Sequence, residues 1–238
     1  MPSELPAIAA APATPPRHHG DAHTRAGWSR VGQRLRTCTW LKVVGTAAFM
    51  ALFFVGYFHL LRNPAQPPLV MPLTTIDRWI GFHPWALWPY LSLWFYVGWP
   101  PALMSSAREL VRYGWWIGAL CLAGLACFYW WPTAVPPTAL RDEAGFDLLR
   151  GVDAAGNACP SMHVAAATFS ALWLDRLLRE LALPAWVRCA NAGWFVLIVW
   201  STLAIEQHVW WDVVAGLLLA LAFGLPSLRG RVASRVGR

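Results

Sequence analysis

The sequence predicts an all-α, polytopic integral membrane protein with about six transmembrane helices. Hydrophobic residues fill 57% of the 238 positions and charged residues only 13%, about half the charged share of a typical soluble domain. The mean hydropathy is +0.42. A helix needs about 17–25 mostly apolar residues to cross a ~30 Å hydrocarbon core, and six segments of the chain are candidates.

These six candidate spans follow one another along the chain. We expect the second to be kinked or broken by Pro89, Pro100 and Pro101, because proline interrupts the helical hydrogen-bond ladder. The fourth is too short to span alone, so we expect it to continue through Asp175 and Arg176 and to be recessed at its outer end. The predicted spans are residues 43–61, 84–104, 113–131, 162–174 with its extension, 186–204 and 208–225.

The distribution of positive charge predicts the orientation. Fifteen of the 19 Lys and Arg residues lie in the two terminal tails and in the loops after spans two and four. Cytoplasmic segments retain Lys and Arg, so both termini should be cytoplasmic. The opposite, external side has only Arg62, Arg78, Arg141 and Arg150.

The chain divides into three predicted regions. Residues 1–37 are rich in Ala, Pro and Arg, which predicts a disordered cytoplasmic tail without a signal peptide. Residues 38–226 are predicted to form the six-helix membrane domain. Residues 227–238 are predicted to form a basic cytoplasmic tail. The net charge of +7 is scattered and does not build a nucleic-acid patch. We expect a multi-pass protein of a bacterial inner or plasma membrane, and its oligomeric state stays open.

Three ionisable residues lie at the predicted outer ends of spans, where a charge is costly and indicates function. His163 opens span four in "NACPSMHVAAATFS", and His208 and Asp212 open span six in "STLAIEQHVWWDVVAG". On a helix, residues four apart share a face. Asp212 can therefore accept the Nδ1 proton of His208 and fix its tautomer, which leaves Nε2 as a nucleophile.

The spacing places these groups together. The 37 residues between His163 and Ser201 suffice for one helix to cross the membrane and another to return, so His163, Ser201 and His208 should share the external face. Ser161 is predicted to cap span four, with His163 in its first turn. Two helix N-termini then meet at one recessed site, where their dipoles and N–H groups favour phosphate. The sequence therefore predicts phosphoryl chemistry.

"PSMH" (160–163) and "STLAIEQHVWWD" (201–212) resemble the second and third signature motifs of the type-2 phosphatidic acid phosphatase superfamily. The resemblance implies an all-α catalytic core that needs no metal or other cofactor. It also implies that His208 attacks phosphorus to form a phosphohistidine, oriented by Asp212, while His163 protonates the leaving oxygen. Ser161 and Ser201 would hold phosphate oxygens.

Two positions depart from the family pattern. Thr202 stands where the third motif has Arg, and the region of the first motif has no Lys. Arg141 and Arg150, with Arg78, are the external candidates to supply the missing positive charge, and Asn157 is a candidate head-group ligand. With these departures, the sequence looks similar to the branch that contains inositol phosphorylceramide synthases. Those enzymes transfer a head-group phosphate to an alcohol.

The leading interpretation is a membrane enzyme that cleaves or transfers phosphate on a lipid phosphate ester. Sphingolipid, phosphatidyl and polyprenyl phosphates all fit, with water or a lipid hydroxyl as acceptor. The missing arginines leave open a non-enzymatic transporter or scaffold on the same fold. A zinc-dependent hydrolase is a further alternative, with Cys159, His163, His208 and Asp212 as four ligands.

Overall fold

A computed structural model of the chain describes residues 19–136 and 156–229, which are mostly helical. A 3-10 turn at Pro84–Ala86 leads directly into the fourth helix. The helices are α1 (His19–Arg36), α2 (Thr39–Arg62), α3 (Thr75–Ile80), α4 (Leu87–Leu91), α5 (Leu93–Tyr96), α6 (Trp99–Leu103), α7 (Ala107–Trp130), α8 (Met162–Glu180), α9 (Ala185–Ala204) and α10 (Trp210–Leu228).

Four helices of the described residues are long and apolar enough to cross a membrane. They are α2, α7, α9 and α10, and they correspond to the predicted spans one, three, five and six. The chain is therefore a helical membrane protein, as the composition predicts. The other two predicted spans are formed differently.

The second predicted span is divided into the 3-10 turn and the short helices α4, α5 and α6. Pro89 lies within α4, and Pro100 and Pro101 lie in α6. The break expected from these prolines is confirmed. Near the first break, the hydroxyl of Ser92 donates to the carbonyl of Pro89 at 2.6 Å, which satisfies a backbone acceptor there.

The fourth predicted span is helix α8, and it continues through Asp175 and Arg176 as expected. Its far end carries charged side chains held in ion pairs. Asp175 accepts from Arg179 and from Arg188 at the start of α9, at 2.8 and 2.7 Å. Because of these charges, α8 is not among the four helices that are apolar enough to cross a membrane, although it is the most central helix of the bundle.

Helix α8 forms the centre of the core. It packs against α5, α6, α7, α9 and α10, and the side chains of Ala165, Phe169, Trp173 and Leu177 are fully buried. The residues at the start of α8 are therefore held by neighbours on several sides.

The structure differs from the sequence prediction in part of the N-terminal tail. Residues 19–36, expected to be disordered, form helix α1. Arg30 donates to the carbonyl of Leu181 at 2.9 Å, and Arg34 donates to that of Leu103 at 3.2 Å. These bonds satisfy carbonyls at the ends of α8 and α6. The arginines that the sequence places in a flexible basic tail therefore attach α1 to the bundle.

A short parallel strand pair fixes the segment that enters α8. Strand β1 (Leu69–Val70) pairs with β2 (Thr133–Ala134), and Ala134 forms a bridge with Gly156. The backbone N–H of Cys159 donates to the hydroxyl of Thr133 at 2.7 Å. The residues just before Ser161 are thereby tied to the end of α7.

Helices α8 and α10 approach closely at Gly216. A Cβ atom at this position would lie 2.5 Å from the carbonyl oxygen of Ser161 and 3.2 Å from Cβ of Val164. One turn earlier, the N–H of Ser161 donates to the carbonyl of Asp212 at 3.0 Å. The beginning of α8 is thus joined to the first turn of α10, where the sequence places the candidate site.

Candidate active site

Ser161 is the N-cap of α8, as predicted. Its backbone is extended, and its hydroxyl accepts from the N–H of Val164 at 3.3 Å. Short polar side chains favour this position because they satisfy an N–H that lacks a helical partner. The cap is fully buried, and it places His163 in the first turn of the helix.

His208 lies in the turn between α9 and α10, so the prediction that it sits on a helix is wrong. The carbonyl of Thr202 accepts from the N–H groups of Gln207 and His208 at 3.2 and 3.1 Å. Glu206 has a left-handed backbone with φ of 59°. This compact C-terminal turn of α9 orients the chain so that α10 begins two residues after His208.

Asp212 lies beside His208 although the two do not share a helix. Nδ1 of His208 is 3.5 Å from Oδ2 of Asp212, an ion-pair contact longer than a usual N–H···O hydrogen bond. The same Oδ2 accepts from the N–H of Val209 at 3.0 Å. Asp212 is fully buried, so its carboxylate both caps α10 and faces the imidazole.

The structure brings His163 and His208 together, as predicted from the spacing. Their ring centroids are 5.8 Å apart. Tyr90 of α4 stacks on the His163 ring at 4.5 Å, and Trp94 of α5 meets it edge-on at 5.9 Å. The broken second span therefore supplies the aromatic side chains that orient His163 toward His208.

The structure describes some of the predicted phosphate ligands and not others. Ser201 is fully buried in the last turn of α9, and its hydroxyl donates to the carbonyl of Ile198 at 2.6 Å. That hydroxyl proton is committed to the helix, while the oxygen keeps acceptor capacity. Arg141 and Arg150 lie outside the described residues.

The side chain of Asn157, which the sequence predicts as a head-group ligand, contacts helix α2. Its side chain is 6% exposed, and its Nδ2 donates to the carbonyl of Tyr57 in α2 at 3.1 Å. Its backbone is left-handed, with φ of 53°, a conformation that Asn tolerates better than most residues. Asn157 therefore attaches the loop before Ser161 to α2, and its role as a head-group ligand stays a prediction.

Asp77 is a residue of the site region that the sequence analysis missed. Its Oδ1 accepts from the N–H of Trp210, the first residue of α10, at 2.7 Å. Its Oδ2 accepts from the N–H of Thr74 at 2.6 Å. The spacing of Thr74 and Asp77 is that of a capping box and indicates the start of α3, but no local signal reveals the contact with α10.

We expect Asp77→Ala to destabilise the protein by about 0.5–2 kcal/mol, the usual effect of losing a helix cap, and to lower turnover. Turnover should fall because Asp77 holds the first turn of α10, which contains Asp212 and begins just after His208. Thermal unfolding in detergent and kcat measure the two effects. Thr75→Ala, an exposed position on the same short helix, is the matched control. Equal stability of the two variants would contradict the positioning role.

The alternative zinc site finds no support in the described part of the chain. Within residues 19–136 and 156–229, no group of three or more His, Cys, Asp or Glu side chains could hold a metal ion. Burial raises the pKa of the Cys159 thiol to about 12. Cys159 is instead a partly buried residue of the loop before α8.

These contacts define a helical membrane protein with two facing histidines and a buried carboxylate where α8 and α10 begin. Residues 130–235 match the family model of the PAP2 superfamily. The matched region contains every residue of this site except Asp77, Tyr90 and Trp94, and the match supports the superfamily that the two motifs resemble. No curated protein and no solved structure matches the chain.

Proposed function

We propose that the protein is an integral membrane enzyme that removes or transfers the phosphate of a lipid phosphate ester through a phosphohistidine. The pairing of His163 and His208 at 5.8 Å between ring centroids carries the proposal, because a phosphoryl group between the rings can contact a nucleophile and an acid at once. The PAP2 match supports a lipid phosphatase-type function.

In the first step, Nε2 of His208 attacks phosphorus and forms a P–N bond. The bond from phosphorus to the lipid oxygen breaks, and that oxygen takes the bonding electrons and a proton from His163. Asp212, 3.5 Å from Nδ1 of His208, stabilises the positive charge that develops on the imidazole. A fully buried carboxylate is costly without such a partner.

In the second step, an acceptor hydroxyl attacks phosphorus and gives its proton to His163. The P–N bond breaks and His208 is regenerated. With water the product is inorganic phosphate, and with an alcohol it is a new phosphate ester. The motif similarity to the inositol phosphorylceramide synthase branch supports a lipid hydroxyl as acceptor. With a phosphodiester donor, His208 then carries the phosphate together with its head group, and the attacking hydroxyl receives both.

Positive charge at the phosphate oxygens is part of the proposal, because the phosphoryl transition state is anionic. Arg78 follows Asp77, whose carboxylate contacts the N-terminus of α10, and its side chain is exposed. We assign this role to one or two of Arg78, Arg141 and Arg150. Ser161, whose hydroxyl accepts from the N–H of Val164 and so keeps its proton for an acceptor, is a neutral ligand of the phosphate oxygens, and Ser201 is a second one once its hydroxyl turns away from the carbonyl of Ile198. The positive-inside distribution supports a site at the external membrane face.

The test is to incubate the purified protein with phosphatidic acid, with phosphatidylinositol plus ceramide, and with undecaprenyl diphosphate, each labelled in its phosphate. We expect one lipid to lose its phosphate, either to water or to the hydroxyl of the second lipid. The label identifies substrate and acceptor together. No loss of label from any of these lipids by folded protein would contradict an enzymatic function and favour a transporter or scaffold on this fold.

A further inference from the structure

A cavity of about 470 Å³ lies between α2, α5, α6, α7 and α8. It is separate from the contacts of His208 and Asp212, and His163 is the residue of the histidine pair that lines it. Its size falls in the range of pockets that bind one small organic molecule. The cavity therefore provides room for a ligand beside the candidate site.

The lining of this cavity is apolar. Among the described residues that form it, none is Asp, Glu, Lys or Arg, and α2 contributes a row of aromatic side chains that includes Phe49, Phe53 and Phe54. Burying an unpaired charged head group here would be costly. A hydrocarbon chain gains free energy with every methylene it buries, so the lining fits a lipid tail.

The cavity is long and opens at its far end. Leu41 and Tyr57 of α2 both line it, and their separation of 16 positions corresponds to about 24 Å at ~1.5 Å per residue. This exceeds half of the ~30 Å hydrocarbon core. At the Leu41 end, Val111 and Trp115 are 52% and 77% exposed, so a chain can enter sideways from the bilayer.

We propose that this cavity binds one hydrocarbon chain of the lipid phosphate substrate, with its phosphate end at His163 and its tail directed toward Leu41. The inference rests on the proposed function and deepens it. His163 is the proposed proton donor to the leaving oxygen, and that oxygen belongs to the lipid. The lipid must therefore extend away from phosphorus on the His163 side, which is the side where the cavity lies.

Two glycines allow the cavity to be filled without disturbing the packing. Gly45 of α2 and Gly114 of α7 line it, and a Cβ atom at either position would meet nothing within 4 Å. A leucine at either position projects into open space. Gly193 of α9 is equally open but does not line the cavity, so Gly193→Leu is the matched control.

The experiment compares hexadecyl phosphate with butyl phosphate as substrates of the full-length protein in detergent. In Gly45→Leu and Gly114→Leu, the KM for hexadecyl phosphate should rise about tenfold or more, the factor that corresponds to losing the burial of two methylenes. The KM for butyl phosphate should stay at the unsubstituted value, as should both KM values in Gly193→Leu. Equal changes for the two substrates, or none, would overturn the inference.

A second readout does not depend on turnover. Hexadecyl phosphate with a photoreactive diazirine at the tail end should label α2 near Leu41 and α7 near Val111, and His208→Ala should be labelled equally well. Labelling without turnover of any lipid would keep the cavity assignment and reject the proposed enzymatic function. Turnover with labelling elsewhere would reject the cavity assignment and keep the function.

Discussion

Replacement of His208 by alanine should lower kcat for the lipid substrate by ~10⁴-fold or more, as loss of a member of the nucleophile–base pair does in other hydrolases. The cause is the loss of the Nε2 atom that forms the P–N bond. Phosphate release in detergent micelles measures the effect. Stability should fall as well, because the substitution leaves the buried carboxylate of Asp212 without the imidazole that lies 3.5 Å away, so rates are compared per folded protein at a temperature where both variants are folded.

His59→Ala is the matched control for this substitution. His59 is an exposed histidine in the last turn of α2 and lies outside the site, so its variant should retain the unsubstituted rate. A His208→Ala variant that keeps more than about one tenth of the normal rate would contradict the assignment of His208 as nucleophile.

Replacement of His163 by alanine should have the second largest effect, and the size should depend on the leaving group. A general acid contributes about 10²–10⁴-fold, so kcat for an alkyl phosphate, whose alkoxide needs a proton, should fall by that range. With p-nitrophenyl phosphate the leaving phenolate is stable without a proton, and the loss should be much smaller. The ratio of the two losses measures the role of His163.

Tyr90 stacks on the His163 ring at 4.5 Å, and a substitution of Tyr90 is the control for a change of packing around His163 without loss of its imidazole. Tyr90→Phe keeps the stacked ring and should preserve the difference between the two substrates. An equal loss for both substrates in His163→Ala would mean that His163 binds phosphate or supports the fold, and that it is not the proton donor.

The sequence was sufficient to predict the features that depend on local chemistry and on spacing. Ser161 precedes an apolar run after a proline, and it caps α8 with a bond to Val164. The interval from His163 to Ser201 permits two antiparallel helices, and the pairing of His163 with His208 follows from that geometry.

Other features depend on contacts between distant segments. The carboxylate of Asp77 caps α10 from 133 positions away in the chain, and spacing within α3 carries no information about this partner. His208 leaves the helix because the turn after α9 is closed on Thr202, although its distance from Asp212 in sequence fits a helix equally well. The apolar cavity is enclosed by five separate helices, so no single segment of the sequence indicates it.

Trapping of the covalent intermediate tests the central claim most directly. The protein is mixed with the lipid substrate labelled in its phosphate, quenched in base within the first turnover, and digested for mass spectrometry, because phosphohistidine is stable in base and labile in acid. We predict one labelled phosphoryl group on His208, absent from His208→Ala and lost as the reaction proceeds to product. Turnover without any labelled protein, or a label on a different residue, would contradict the account.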